Sequence, residues 1–221
     1  MRLTAKAAFA GLSVILVIRL AAMAVMPFAD TSEPRYAEIA RIMAASGDWI
    51  TPWFAPGEPF WGKPPLAFWA QAASGAWFGM TEMSLRLPSW LAMLGMLAIL
   101  HELGRRLYSL GAARWAVLVF STMLLPLVAA GAVLTDPFMG LGITLGMASF
   151  RLAPDASSWF WRYGLFIGLT IGFLSKGPLA LVLMTGAILP WLIWHGNGRR
   201  YLGALPWARG IALTLALTLP W

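Results

Sequence analysis

The sequence predicts an all-α integral membrane fold of about seven transmembrane helices, the last incomplete, with two amphipathic surface helices in the first long loop. Three observations predict it. Of the 221 residues, 60% are hydrophobic and 11% charged, whereas a soluble domain carries roughly a quarter charged residues. Whole stretches of about 20 residues lack a charge, the length of helix that spans a bilayer. The basic residues gather in short loops between these stretches rather than in one patch. The excess of 16 Lys and Arg over 9 Asp and Glu is therefore a topology signal. It gives no sign of a nucleic-acid partner. With no cysteine, chemistry has to come from carboxylates, amines, hydroxyls or histidine.

The first apolar run, Ala7 to Ala29, follows Arg2 and Lys6. It is longer than the hydrophobic region of a signal peptide and lacks a clear small-residue cleavage site, so it reads as a retained helix. Arg19 lies inside it, either facing a polar bundle interior or sitting nearer one end. The next apolar runs are Leu87 to Leu100, Trp115 to Val133, Pro137 to Ser149, Tyr163 to Leu174 and Gly177 to Trp194. A last one starts at Ile211 and stops at Trp221, short of a comfortable span. Gly164, Gly168 and Gly172, four apart, mark a face for close helix packing.

Ten of the 16 basic residues (Arg2, Lys6, Arg105, Arg106, Arg114, Arg151, Arg162, Arg199, Arg200 and Arg209) fall on one side of this arrangement. The positive-inside rule makes that side, with the N-terminus, cytoplasmic. The opposite side receives 29–86 and the turns around Asp136 and Lys176. The 29–86 segment is the only long non-spanning piece and holds six of the nine acids, Asp30, Glu33, Glu38, Asp48, Glu58 and Glu82. Within it Tyr36, Ile39, Ala40 and Met43 recur at helical spacing, predicting a short amphipathic helix over Pro34 to Ala45 on the membrane surface, closed by Gly47. Pro65 to Phe78, with Phe68, Trp69, Trp77 and Phe78, reads as a second. The Pro- and Gly-rich linker between them reads as a loop.

Three polar sites converge on that face. Asp30-Thr31-Ser32-Glu33-Pro34-Arg35-Tyr36 lies where the first helix exits. Its acids fit either a helix cap or a proton acceptor. Thr135-Asp136-Pro137 is how an ordinary helix start is spelled, and it also places a carboxylate on the same face. Lys63 and Lys176 are two of the three lysines, each beside Pro or Gly. Either could snorkel at the boundary. Together, carboxylates and cations on one membrane face suit transfer from a lipid phosphate, the acids taking a proton and Lys63, Lys176 and Arg35 offsetting charge on a departing phosphate.

The runs Glu33-Pro34-Arg35-Tyr36-Ala37-Glu38-Ile39-Ala40-Arg41, Ser46-Gly47-Asp48-Trp49 and Gly62-Lys63-Pro64-Pro65-Leu66 carry a family resemblance. Leu134-Thr135-Asp136-Pro137 and Phe173-Leu174-Ser175-Lys176-Gly177-Pro178 continue it in the same order. Together they resemble the aminoarabinose transferase and protein O-mannosyltransferase-like superfamily of GT-C membrane glycosyltransferases.

The resemblance implies a GT-C type fold with the two surface helices in the first periplasmic loop. It also implies a multi-pass protein of the bacterial inner membrane with a periplasmic active site. There it implies inverting transfer of a sugar from undecaprenyl phosphate to a lipid A-like or protein acceptor. By position, the acid of the first motif is the base candidate, with Asp30 at the helix exit first and Glu33 second. Asp136 is a second essential carboxylate, Lys63, Lys176 and Arg35 are phosphate ligands, and Tyr36 and Trp61 line the lipid-phosphate pocket. Members are much longer, so residues 1–221 read as the N-terminal part of the transmembrane domain, with 29–86 as its first periplasmic loop.

Two positions depart from the aminoarabinose branch. Ser32 stands where that branch has Asp, and Gly62 where it tends to carry an acid. A divalent metal ion therefore stays open as a cofactor without assigned ligands. A lipid-phosphate transporter using the same cations, or a piece inactive alone, is the rival expectation.

Overall fold

The computed structural model describes residues 5–29, 31–55 and 57–221, and the chain divides into two compact units, Met1–Pro137 and Phe138–Trp221.

The first unit opens with α1 (Ala5–Val25) and α2 (Ser32–Ser46), followed by the strands β1 (Trp53–Ala55) and β2 (Glu58–Pro59). Then come α3 (Leu66–Phe78), α4 (Glu82–Leu107), α5 (Leu110–Thr122), α6 (Leu124–Ala129) and the first residues of α7 (Asp136–Leu152). At 21 and 26 residues, α1 and α4 are long and apolar enough to cross a bilayer. The helix predicted from Pro34 is α2, and Gly47 closes it as expected, with φ of 72° and its N–H bonded to Met43 O at 3.1 Å. Its apolar stripe meets protein. Tyr36, Ile39, Ala40 and Met43 are buried with Phe68 and Ala72 of α3 and Leu85 of α4, so much of the stripe's hydrophobic gain comes from joining α2 to α3.

The linker read as a loop contains a two-stranded antiparallel hairpin pairing Trp53 with Pro59 and Ala55 with Glu58. It starts from Asp48, whose carboxylate accepts the N–H groups of Ile50 and Thr51 (both 3.0 Å) and the Trp53 indole N–H at 2.8 Å. These bonds hold the Asp48 carboxyl below its ordinary range, the Thr51 amide contributing most and the Trp53 indole next.

Helix α4 begins with a capping box, in which Ser84 N–H donates to Thr81 Oγ1 at 3.2 Å and Thr81 N–H to Ser84 Oγ at 3.0 Å. It also contains Pro88. Proline cannot donate to the carbonyl four residues back, Ser84 O. The Ser74 hydroxyl of α3 does so instead, at 2.6 Å. The apolar run predicted over Trp115 to Val133 is broken, with α5 ending at Thr122 and Met123 extended (ψ 136°) before α6. Pro126 explains the break, since its ring and missing N–H prevent a continuous helix through Thr122.

The second unit holds the rest of α7, a 3₁₀ turn (Ala153–Asp155), α8 (Trp159–Lys176), α9 (Leu179–His195), α10 (Gly198–Gly203) and α11 (Trp207–Thr218). Its core gathers Phe150, Leu165, Phe166, Met184, Tyr201 and Leu205. The predicted glycine face is used. A Cβ at Gly168 would stand 2.7 Å from Gly146 N and 3.0 Å from its Cα, so α7 and α8 touch backbone to backbone.

Candidate functional site

The first unit brings the N-terminal turn of α2, the start of α4 and the turn that leads into α7 around one buried ion pair. Glu33 and Arg86, 53 residues apart, have side chains only 5% and 3% exposed. Arg86 Nε and Nη2 donate to Glu33 Oε1 and Oε2, both at 3.0 Å, the bidentate fork that suits guanidinium and carboxylate. The remaining guanidinium hydrogens end at backbone oxygens of the segment leaving α1. Nη1 donates to Met23 O (3.1 Å) and Met26 O (2.5 Å), and Nη2 to Pro27 O (2.9 Å). Met23 O lies in the last turn of α1, where carbonyls lack a helical donor, and Met26 and Pro27 belong to the segment that follows. Glu33 is equally occupied, since Val133 N–H donates to Oε1 at 2.9 Å and Ala29 N–H to Oε2 at 3.2 Å.

This occupancy bears on which acid is free to take a proton. Burial pushes the Glu33 carboxyl up, but the Arg86 hydrogen bonds and then the Val133 and Ala29 amides outweigh it and hold it below the ordinary carboxylate range. A carboxylate with every oxygen engaged and its anionic form stabilised is a poor base at neutral pH. Glu33 acts as a clasp, tying the exit of α1 and the approach to α7 to α4.

Asp30 lies outside the described residues. Asp136 is the first residue of α7 and is exposed, directly after Thr135, which is 1% exposed. Arg35 stands exposed on α2, and Lys63 is partly exposed; no carboxylate among the described residues pairs with either. Tyr36 is buried, its ring 6.1 Å from that of Phe60 and 5.5 Å from that of Phe68. That aromatic group brings the turn carrying Trp61 and Lys63 to the base of α2. Trp61 itself is 63% exposed. In the second unit, Lys176 ends α8 and is partly exposed, followed by Gly177 at φ of 66°.

Gly62 has a local cause. A Cβ there would stand 2.8 Å from Phe60 Cζ, so the ring that packs on Tyr36 fills the space of an acidic side chain. Among the described residues, no three Asp, Glu, His or Cys side chains come together as a metal site. Glu33 is saturated and Gly62 covered, so neither position offers a ligand to a divalent ion.

Sequence reading missed Arg86 as the partner of Glu33. The available signal was physical: a cation and an acid at the two membrane-proximal ends of one loop are expected to pair if either is buried.

A sequence model of the dolichyl-phosphate-mannose-protein mannosyltransferase family matches residues 5–221. The undecaprenyl phosphate-alpha-4-amino-4-deoxy-L-arabinose arabinosyl transferase of Edwardsiella ictaluri is 34% identical over 194 residues, 86% of this chain and 35% of that protein. Its counterpart in Shewanella sediminis is 34% identical over 195 residues. The chain spans about a third of the length of these relatives. Among solved structures, ArnT from Cupriavidus metallidurans bound to undecaprenyl phosphate superimposes with a TM-score of 0.82 at 27% identity, over 96% of this chain and 40% of that one. Its apo form gives 0.79.

Proposed function

Because the chain belongs to the dolichyl-phosphate-mannose-protein mannosyltransferase family, we propose that the protein transfers a sugar from a polyprenyl phosphate to a lipid A-like or protein acceptor, with inversion. The names of the arabinosyl transferase relatives favour an undecaprenyl-linked aminopentose as donor. We further propose a multi-pass protein of the inner membrane, with its N-terminus cytoplasmic and its site periplasmic. Its spans are α1, α4, the broken α5–α6 pair, α7, α8, α9 and α11, and α2 and α3 lie at the outer interface. Residues 1–221 would form the N-terminal part of the GT-C membrane domain.

In this reading the acceptor hydroxyl gives its proton to Asp30, with Asp136 as the second carboxylate. The freed oxygen forms a bond to the anomeric carbon from the face opposite the phosphate. The bond from that carbon to the phosphate oxygen breaks, and the lipid phosphate leaves with the electron pair. Lys63, Lys176 and Arg35 offset the charge that builds on it, and Tyr36 and Trp61 flank the lipid end.

The observation that carries this reading is the division of charges in the first loop. Glu33 is paired with Arg86 and Glu38 with Arg41 (2.7 Å), while Arg35 and Lys63 have no carboxylate partner among the described residues. Cations left over after the structural pairs are satisfied suit an anionic ligand.

The test is transfer of labelled sugar from a polyprenyl-phosphate donor in membranes holding the full-length protein. Asp30→Asn and Asp136→Asn are expected to lower transfer by about 10²-fold or more, with donor binding kept. Unchanged transfer in both variants would refute the assignment of the base. No sugar transfer by the unmutated protein, together with lipid-phosphate binding that is lost in Lys63→Ala and Lys176→Ala, would favour a lipid-phosphate transporter instead.

A further inference from the structure

Arg19 has no part in the reaction as described, yet it is the charge placed deepest in an apolar helix of the first unit. It lies six residues before the end of α1, on a cavity of about 370 Å³ whose walls include Ala29, Glu33, Arg86, Gly131 and Leu134. Arg19 thus lies toward one end of the span and also faces an interior space.

The guanidinium is only partly satisfied. Nη2 donates to Val128 O at 2.6 Å, a carbonyl in the last turn of the short helix α6. Nε is buried without a hydrogen-bond partner, and no carboxylate pairs with Arg19 among the described residues. Glu33, the acid on the cavity wall among the described residues, is consumed by Arg86 and two backbone amides. Among the described residues, two arginines and one glutamate line the cavity, a sum of +1. An ionisable residue inside an apolar segment that faces an interior cavity marks a candidate functional site.

The wall is shaped around the guanidinium. A Cβ at Gly131 would run into Arg19 Nε, Cζ and Nη2, so glycine is what lets the side chain lie against this segment. The volume exceeds what one or two waters need and falls in the lower range of small-ligand sites. Ala29 precedes Asp30, and Leu134 comes two residues before Asp136. The cavity therefore adjoins, in sequence, both carboxylates assigned to the reaction.

We propose that Arg19 and this cavity form an anion site for the phosphate group of a lipid substrate. The choice of phosphate among oxyanions rests on the transferase reading. The phosphate belongs either to the polyprenyl carrier or to a phosphorylated acceptor lipid, and a planar guanidinium on the wall of a cavity this size matches either.

The test uses the full-length protein in lipid nanodiscs and four probes: undecaprenyl phosphate, undecaprenol, lipid A and dephosphorylated lipid A. Arg19→Gln is expected to weaken one phosphorylated probe by about tenfold or more, the cost of a lost charge-assisted hydrogen bond, and to leave the dephosphorylated probes unchanged. Whichever phosphorylated lipid loses affinity is the occupant. If both phosphorylated lipids bind Arg19→Gln as they bind wild type, the site is refuted. Should Arg19→Gln fail to fold, Arg19→Lys carries the same comparison, since it keeps the charge and loses the fork; unchanged binding there overturns the proposal, and severalfold weaker binding supports it. Sugar transfer by wild type in the same nanodiscs separates the two readings. Arg19-dependent phosphate binding without transfer would sink the transferase reading and leave the anion site standing.

Discussion

Glu33 shows how one residue's chemistry follows from its partners. A carboxylate beside a helix start reads locally as a cap or a base, and the two differ only in whether its oxygens are free. Here Arg86, Val133 and Ala29 occupy both. Glu33→Gln keeps the volume but removes the charge opposite a buried guanidinium, and breaking such a pair from one side costs about 3–5 kcal/mol. Thermal unfolding in detergent is expected to show a large fall in Tm for Glu33→Gln, and donor binding lost only in step with unfolding. The pH dependence has a definite sign. The folded-state pKa of Glu33 is depressed, so its contribution is fully present above the ordinary carboxylate range and is lost as pH falls through the lower, folded value. Wild type should therefore hold its Tm down to that range and lose it below. Glu33→Gln should show a shallower acid limb, and equal limbs in both proteins would rule out the clasp. The motif placed Glu33 at the site but could not reveal its role, because the deciding donors come from residues up to 100 positions away.

Helix breaks and caps were legible in the sequence wherever the signal was local. Gly47 ends α2 and Pro137 stands in the first turn of α7 as expected. The stop at Thr122 was also spelled out, by Pro126, but a continuous apolar run concealed it. What was not legible is how an element tolerates its own fault. Pro88 deprives Ser84 O of its helical donor, and Ser74 of another helix supplies one. Ser74→Ala is expected to cost about 1–3 kcal/mol, the penalty of an orphaned carbonyl. In the Pro88→Ala background the backbone N–H of residue 88 returns, so the same Ser74→Ala change should cost much less. A double-mutant cycle of unfolding free energies checks this, and additive costs would show that the two residues are independent. The glycines of α8 were legible as a packing face, whereas their counterparts Gly142 and Gly146 on α7 emerge only from the backbone contact.

For the whole molecule, the proposed orientation is testable without removing native residues, because the chain has no cysteine. Single cysteines at the exposed positions Glu58 and Tyr108 are expected to respond oppositely to a membrane-impermeant thiol reagent applied to spheroplasts. Glu58→Cys should label from outside, and Tyr108→Cys only after the membrane is opened. The reverse result would invert the topology. The membrane class, the helical segments, the basic face and the family motifs were all set by composition, period and short-range spacing, since these act through solvation and local backbone geometry that each segment carries with it. Which charges pair was set by the fold: Glu33 with Arg86, Arg19 with a backbone carbonyl and an open cavity, and Phe60 over Gly62. A charge leaving water needs a partner at about 3 Å, and only folding brings residues tens of positions apart within that distance.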